Sequence, residues 1–518
     1  MLKGSGGLAA ARRRSDHRMR RAWRSSVAYV AGALLLTAGA AAQDWTTLGN
    51  DAQRSGWMRS SPKISIQSVQ TPDFQMLWRH DLDTEPRGES SLTAPVLLDF
   101  LISHKGFRSL AFLGAADGSV FAIDTDLDRR EWSRHFGVGE QYPAPKPGCP
   151  GGMTASLSRP TVAALPSLGG FTGPRRRSPG FSGVGDPNAG AVTLKKDEPA
   201  RPSRPADAPK RSTRVQAPQG RVLRGLSVVY AVTPDGKLRT MLVSNGYDHE
   251  PPMPFLPANA KAVGLMVVDG VAYAATTGGC GGAPDGVWAV DTETGKVSSW
   301  KSGAAVAGLD GFSMGPDGTL YAATADGRVV ALEAKTLKIK AEHKGSDAYV
   351  SAPMVIDYDD QDYLAVARKD GSIVLFQGAS LSGGPIGRTP GEPGAFSSDA
   401  LATWRDASDV TWVLAARNGI EAFKMVEKNG KPSLEPAWKA DIASPLAPIV
   451  VDNVVFAASG KGAAVLHALE GTTGKGLWTS GQSIAAPAAQ TGLTAGPNTV
   501  YLATRDGALY AFGFPIEH

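Results

Sequence analysis

Short apolar stretches separated by tight polar turns recur along most of the chain. In "TLYAATADGRVVALEA" (319–334), apolar residues alternate with polar or small ones on both sides of Asp326-Gly327, as in strands that bury one face. Asp-Gly and Asn-Gly favour the positive φ angles of two-residue hairpin turns. Such turns or close relatives of them return at intervals of about 40 to 50 residues, at 285–286, 326–327, 370–371, 418–419, 461–462 and 506–507.

A strand-rich repeat of this length, without a helix-length pattern, is typical of β-propeller blades with four strands each. A single blade cannot bury both faces, whereas a closed ring lets each blade cover the next. The sequence therefore predicts an all-β, eight-bladed propeller of four-stranded antiparallel blades over residues 74–518. The first strands of the eight blades are predicted to begin near Ala94, Pro160, Val263, Val306, Ser351, Ser398, Pro445 and Ala486.

The last repeat is shorter than the others and lacks an outer strand. A ring that ended this way would leave an open sheet edge. The stretch "FQMLWRHDLD" (74–83) resembles an outer strand but has no hairpin of its own. We therefore expect Leu77–Asp81 to complete the blade made by residues 486–514, with 43–73 as an N-terminal segment that precedes the ring.

The first 42 residues have the pattern of a secretory signal peptide. Arginines precede the apolar run "VAYVAGALLLTAGAAA" (27–42), which ends in small residues before Gln43, where cleavage is predicted. Either Met1 or Met19 is a plausible start. A membrane anchor is disfavoured because the run is short and no stop-transfer charges follow. We expect a periplasmic or secreted monomer without a transmembrane span in the mature chain.

Removing the leader changes the charge balance. The whole chain carries 54 basic and 49 acidic residues, but the part after residue 42 carries 46 and 48, which gives no basis for a nucleic-acid partner. Residues 170–222 are rich in proline and basic side chains and poor in apolar ones, so they predict a disordered insertion in blade 2. This insertion is either a solvated loop or a basic arm that contacts an acidic surface or lipid headgroups.

Three repeats share an alanine, an acidic residue and a tryptophan at similar spacing: "AIDTDLDRREW" (122–132), "AVDTETGKVSSW" (289–300) and "ALEGTTGKGLW" (468–478). They resemble the tryptophan-docking motif of the quinoprotein repeat family, named for pyrroloquinoline quinone (PQQ). The start "DWTTLGNDAQRSGW" (44–57) resembles the opening segment of quinoproteins. The resemblance implies that four indoles pack between neighbouring blades, those of Trp78, Trp132, Trp300 and Trp478.

The resemblance implies two possible functions. Some members are PQQ-dependent dehydrogenases, which hold Ca²⁺ with Glu and Asn near a catalytic Asp and stack the quinone on a disulfide between adjacent cysteines. Here Cys149 and Cys280 are far apart in sequence. Other members are scaffolds in outer-membrane protein assembly. We expect a non-catalytic binding or scaffold module without cofactor, which holds a ligand or an envelope protein at a channel mouth; a PQQ-dependent alcohol or sugar dehydrogenase with Ca²⁺ is the alternative.

Further candidate residues lie outside the repeated motifs. Tyr142, Tyr247 and His249, in long loops, are candidates for a ligand site at the channel mouth. Each cysteine lies in a glycine-rich loop, so an oxidising compartment would allow a Cys149–Cys280 disulfide. A weak calcium site or, preferably, a solvated hairpin turn is expected at a cluster of four carboxylates, those of Asp357, Asp359, Asp360 and Asp362.

Overall fold

The computed structural model describes residues 44–87, 91–103, 106–137, 146–163, 227–394 and 396–515. The predicted leader, the 170–222 insertion and Tyr142 lie outside these residues. Within the described ranges the helices are short 3₁₀ turns, and none is long and apolar enough to cross a membrane. These turns are Ser68–Gln70, Cys280–Gly282 and Gly378–Gly383.

The described strands form eight sheets, as the repeat predicts, and each sheet is one blade of the propeller. The strands that tight turns join follow one another in chain order and are antiparallel, whereas the short strand Trp57–Met58 adds in parallel to Ile449–Val451. Gly327, for example, adopts a φ of 89° after Asp326, a value that glycine reaches without steric cost. The repeat, with its Asp-Gly turns, thus correctly predicts the all-β class and the blade number.

The first four blades, numbered in the order of the predicted repeats, occupy residues 96–344. Blade 1 has the strands Val96–Ser103, Gly106–Gly114, Ser119–Asp124 and Arg129–His135. Blade 2 has Val228–Val232, Lys237–Leu242 and Met253–Pro254. Blade 3 has Ala262–Val268, Val271–Thr276, Gly286–Asp291 and Val297–Lys301, and blade 4 has Phe312–Met314, Leu320–Ala323, Arg328–Leu332 and Ile339–Lys344.

The other four blades follow without a long interruption. Blade 5 has the strands Met354–Tyr358, Gln361–Ala367, Ile373–Gln377 and Gly387–Arg388. Blade 6 has Phe396–Arg405, Thr411–Arg417, Ile420–Lys428 and Lys431–Ala440. Blade 7 has Ile449–Val451, Val454–Ala458, Leu466–Glu470 and Gly476–Thr479, and blade 8 has Ala488–Ala495, Thr499–Thr504 and Ala508–Gly513.

An N-terminal strand completes blade 8. Gln75–Asp81 pairs antiparallel with Ala508–Gly513, with His80 opposite Leu509. The prediction that this strand closes the ring is confirmed, and the strand extends two residues further towards the N-terminus than expected. An N-terminal strand and the C-terminal strands therefore share one sheet, and this pairing covers the edge that blade 8 would otherwise leave open.

Blade 2 departs from the prediction at its inner edge. Instead of starting a regular first strand of blade 2, Pro160–Thr161 pairs in parallel with Val267–Val268 of blade 3. A single bridge joins Ser158 to Tyr230 of blade 2. Pro160 has no N–H to donate to a ladder, so the regular pairing ends before it.

Two other blades start later than predicted. The regular strand of blade 4 begins at Phe312 and that of blade 7 at Ile449. The predicted starting residues, Val306 and Pro445, make only isolated bridges to the neighbouring strands. The sequence pattern around these residues marks buried side chains, and burial begins a few residues before the hydrogen-bonded ladder does.

The core consists of apolar layers between neighbouring blades. Between blades 1 and 2, for example, Phe112 and Trp132 lie in one buried cluster with Val229 and Met241. Each blade therefore covers the face of the next, and a ring of such contacts is the source of the fold's stability.

Candidate functional site

Residues 44–61, here called the channel segment, run around the inner side of the ring and contact every blade in turn. Thr47 Oγ1 donates to the carbonyl of Leu265 in blade 3 (2.7 Å), and Ser61 Oγ donates to the carbonyl of Pro497 in blade 8. The other blades donate backbone N–H groups to carbonyls of the segment: Leu97 to Trp45 (2.8 Å), Arg159 to Thr46 (2.7 Å), Met314 to Ala52 (2.7 Å), Val355 to Gln53 (3.0 Å), Thr403 to Ser55 (2.8 Å) and Val450 to Gly56 (2.8 Å).

Arg54 anchors the channel segment to blades 3 and 4. Its side chain is 1 % exposed, and burial lowers the pKa of its guanidinium. Nε donates to the carbonyl of Phe312 (3.0 Å) and Nη2 to that of Gly264 (2.7 Å). Gly264 has a φ of 66°, and a Cβ there would lie 2.0 Å from the carbonyl oxygen of Asp310, so this approach requires glycine.

A cavity of about 50 Å³ lies between the channel segment and blades 4, 6, 7 and 8. A volume of this size holds a few water molecules. Asp310 is the one ionisable residue among those that line the cavity, and the other lining residues are uncharged. The walls include Trp45, Gly56, Asp310, Leu401, Pro448 and Gln490.

Asp310 is the unusual group of this cavity. It is 6 % exposed, and within the described part of the chain its carboxylate receives no hydrogen bond and forms no ion pair. Burial raises the pKa of Asp310, and the nearby charge of Arg54 opposes this rise. Sequence reasoning did not single out Asp310, because nothing in "GLDGFS" distinguishes it from an aspartate in an exposed turn.

The loop residues that were predicted to line a channel mouth are not part of this cavity. Tyr247 and His249 lie between the strands Lys237–Leu242 and Met253–Pro254, at the outer side of blade 2. Tyr247 is 66 % exposed, and the backbone N–H of His249 donates to the carbonyl of Thr240 (2.7 Å). Tyr142 lies outside the described residues.

The aspartate cluster at 357–362 forms the hairpin turn of blade 5. Asp357 is opposite Asp362 in the ladder, and Asp359 and Asp360 form the turn with φ values of 52° and 56°. Over the ranges that the structure covers, no group of three or more His, Cys, Asp or Glu residues has an arrangement that suits a metal ion.

The two cysteines form the expected disulfide. Cys149 and Cys280 are bonded with their Cα atoms 5.4 Å apart. The bond joins the connection that leads into blade 2 to the 3₁₀ turn Cys280–Gly282 of blade 3. It therefore fastens neighbouring blades, and neither cysteine lines the channel cavity.

Two of the predicted docking tryptophans donate hydrogen bonds to the following blade. Trp78 Nε1 donates to the carbonyl of Thr125 in blade 1 (3.2 Å), and Trp132 Nε1 donates to that of Val243 in blade 2 (2.8 Å). The ring of Trp132 covers Gly246, where a Cβ would lie 2.5 Å from the indole. These indoles bring apolar surface and a polar contact to the blade boundary.

The other two predicted indoles make apolar contacts, and one more bridging tryptophan was missed. Trp300 belongs to a buried cluster with residues of blade 4, and Trp478 packs edge-on against Phe74 (4.9 Å between ring centroids). Trp438 Nε1 donates to the carbonyl of Gly471 in blade 7 (2.7 Å). The signal that identifies Trp438 is its place at the end of a repeat, although the Thr-Gly-Lys of the motif is lacking there.

A scan against protein-family models and a search of curated proteins find no match. Solved structures are similar in fold. The quinohemoprotein alcohol dehydrogenase from Comamonas testosteroni is 14 % identical, with a TM-score of 0.57 over 93 % of this chain and 82 % of its own. A europium-containing methanol dehydrogenase is 12 % identical, with a TM-score of 0.51 over 91 % of this chain and 98 % of its own. BamB from Moraxella catarrhalis is 14 % identical, with a TM-score of 0.44 over 86 % of this chain and 99 % of its own.

At these identities the likeness shows a quinoprotein-like propeller fold and nothing about chemistry. The channel cavity fits a flat, negatively charged quinone poorly. It has room for a few waters, and its ionisable lining residue is the carboxylate of Asp310, which would repel an anion. The N–H groups of Arg54 already bind carbonyl and hydroxyl oxygens. This cavity therefore does not fit PQQ.

Proposed function

We propose that this chain is an exported, non-catalytic propeller that acts as a binding or scaffold module in the cell envelope, with a ligand or partner at a channel mouth. The observation that carries the proposal is the channel segment, whose carbonyls accept hydrogen bonds from the inner edge of one blade after another. The interior of the ring is thus occupied by structural contacts.

A ring with a filled centre suits a scaffold. Its blades hold the connecting loops in fixed positions, and loops on a rigid framework are where binding surfaces usually form. Gln490 is exposed and lines the channel cavity, so it marks a channel surface that a partner can reach.

The envelope location is supported by the leader pattern of residues 1–42 and by the disulfide. Cys149 and Cys280 are bonded, and such bonds persist in oxidising compartments. The balance of 46 basic and 48 acidic residues after position 42 favours a protein or small ligand over a nucleic acid.

Site-specific crosslinking in the native host tests the proposal. A photoreactive amino acid at Gln490 samples the channel surface, and the same group at Tyr247, on the outer side of blade 2, is the matched control. We expect a discrete crosslinked species from position 490 in the envelope fraction and none from 247. Recovery of the protein in the cytoplasm, or equal crosslinking at both positions, would contradict the proposal.

A further inference from the structure

We infer that the channel cavity is a binding site for a small monovalent cation, with the Asp310 carboxylate as its anionic ligand. This inference names a ligand class for the proposed binding function. It rests on that proposal in one respect, that the channel binds a ligand. The class of cation is the ammonium ion, a primary ammonium group or a metal ion of similar size.

The first argument is the state of Asp310. Its side chain is 94 % buried, with 6 % exposed, and it lines the cavity. Among the described residues no donor reaches its carboxylate. A largely buried carboxylate that no protein donor reaches is stabilised by a counter-charge, a proton or water. A cation in the cavity supplies that counter-charge.

Arg54 supplies part of this counter-charge, since its charge opposes the rise in the pKa of Asp310, but it gives the carboxylate no hydrogen bond. Its N–H groups are directed to oxygens of Phe312, Gly264 and Thr47, and its contact with Asp310 is a long one to the backbone carbonyl (3.4 Å). The other buried carboxylate of the region is already satisfied, since Asp51 Oδ1 accepts the backbone N–H of Ser55 (3.0 Å).

The second argument is the irregular backbone at the cavity. The inner strand of blade 6 leaves its ladder between Phe396 and Leu401, and that of blade 8 does so between Ala488 and Leu493. Ala400 and Gln490 lie in these bulged stretches and line the cavity. Bulges release backbone polar groups from pairing and often lie beside binding sites. Because Gln490 is exposed, an ion has a route from solvent.

Size and charge select the ion. A volume of about 50 Å³ accommodates an ion with a water or two but not a large organic cation. A divalent ion such as Ca²⁺ takes six to eight oxygens, usually with several carboxylates. One carboxylate in a neutral wall suits a single positive charge.

The experiment is isothermal titration calorimetry of the mature protein with ammonium, methylammonium, potassium and calcium chlorides at constant ionic strength. Tetramethylammonium chloride is the oversized control. We expect saturable binding of at least one small cation, a loss of at least tenfold in affinity in Asp310→Asn, and no change in Asp360→Asn, which alters an exposed turn carboxylate.

A second variant keeps the test independent of the stability of Asp310→Asn. Ala400→Leu fills the cavity without a change of charge and should also weaken binding at least tenfold. Absence of saturable binding to the unaltered protein would overturn the inference, as would unchanged affinity in both variants or a preference for Ca²⁺. Such a result would leave the Gln490 crosslink untouched, so the two proposals fail separately.

Discussion

At the scale of single residues, contacts between neighbouring blades combine apolar burial with a directed hydrogen bond. Trp132 is 9 % exposed, packs over Gly246 and reaches the carbonyl of Val243. The indole contributes most through the apolar area that it removes from water. The hydrogen bond contributes less, because the carbonyl exchanges it for water on unfolding.

Replacing Trp132 separates these two contributions. Trp132→Ala should lower the free energy of unfolding by about 3–5 kcal/mol, because it removes a buried aromatic ring and leaves a cavity. Trp132→Phe keeps much of the ring and should lose less. Urea unfolding followed by circular dichroism measures both, and an alanine variant as stable as the phenylalanine variant would refute this account of docking.

Asp99 makes a second prediction, on the pH dependence of stability. Burial, and then the carboxylates of Asp44 and Asp126, raise the pKa of Asp99 to about 6. The folded protein therefore binds a proton, between pH about 6 and about 4, that the unfolded chain does not bind. The contribution of Asp99 to the free energy of unfolding accordingly rises as the pH falls through this window.

Asp99→Asn removes the buried charge. We expect this variant to be more stable than the unaltered protein at pH 7.5 and equally stable at pH 4, where Asp99 is already neutral. Denaturant midpoints at the two pH values give the comparison. A constant difference between the two proteins at both pH values would show that Asp99 does not titrate in this way.

Residue patterns reveal the docking indoles but not the polar groups of the channel. Trp78 and Trp132 recur with the repeat and are visible in the sequence. Arg54 and Asp310 acquire their environment from the path of the channel segment past strands more than 200 residues away. No local pattern encodes that path, so sequence reasoning cannot find this site.

At the scale of elements, the N-terminal part of the chain performs two tasks. Residues 44–61 connect the inner edges of the blades, and Gln75–Asp81 closes the ring by pairing with Ala508–Gly513. The second task is predictable from a missing outer strand. The first is not, because "DWTTLGNDAQRSGW" carries turn residues and no strand pattern.

Deleting residues 74–83 should abolish cooperative unfolding of the whole ring. The deletion exposes the edge of Ala508–Gly513 and opens the contact between blades 8 and 1, so neighbouring blades lose their cover in turn. Calorimetry should show a broad, lowered transition, whereas Gln75→Ala, at an exposed position of the same strand, should unfold normally. An unchanged melting curve in the deletion variant would refute ring closure.

The disulfide joins blade 3 to the connection that leads into blade 2, and we expect it to stabilise the folded protein. Cys149 and Cys280 are 131 residues apart in sequence, and closure of so long a loop in the unfolded chain contributes up to about 5 kcal/mol. We expect a reductant to lower the denaturant midpoint of the unaltered protein. A Cys149→Ser/Cys280→Ser variant should start at that lower value and not respond to the reductant, and a response in this variant would indicate an unrelated effect.

At the scale of the whole molecule, the repeat predicts the architecture and leaves the function open. Eight blades follow from a period of hairpins, and their closure follows from one missing strand. The same fold occurs in dehydrogenases, but a fold does not by itself specify a function, because chemistry depends on side chains at a site and not on the blades. Here those positions hold structural contacts and one buried carboxylate.

The most direct test of the proposed non-catalytic role is calorimetry of the mature protein with PQQ and Ca²⁺, followed by dye reduction with small alcohols and aldoses. We predict no saturable PQQ binding and no substrate-dependent dye reduction, because the channel segment occupies the inner edges of the blades and the cavity beside it has room for only a few waters. Micromolar PQQ binding accompanied by substrate-dependent dye reduction would contradict this account and identify the protein as a quinone-dependent oxidoreductase.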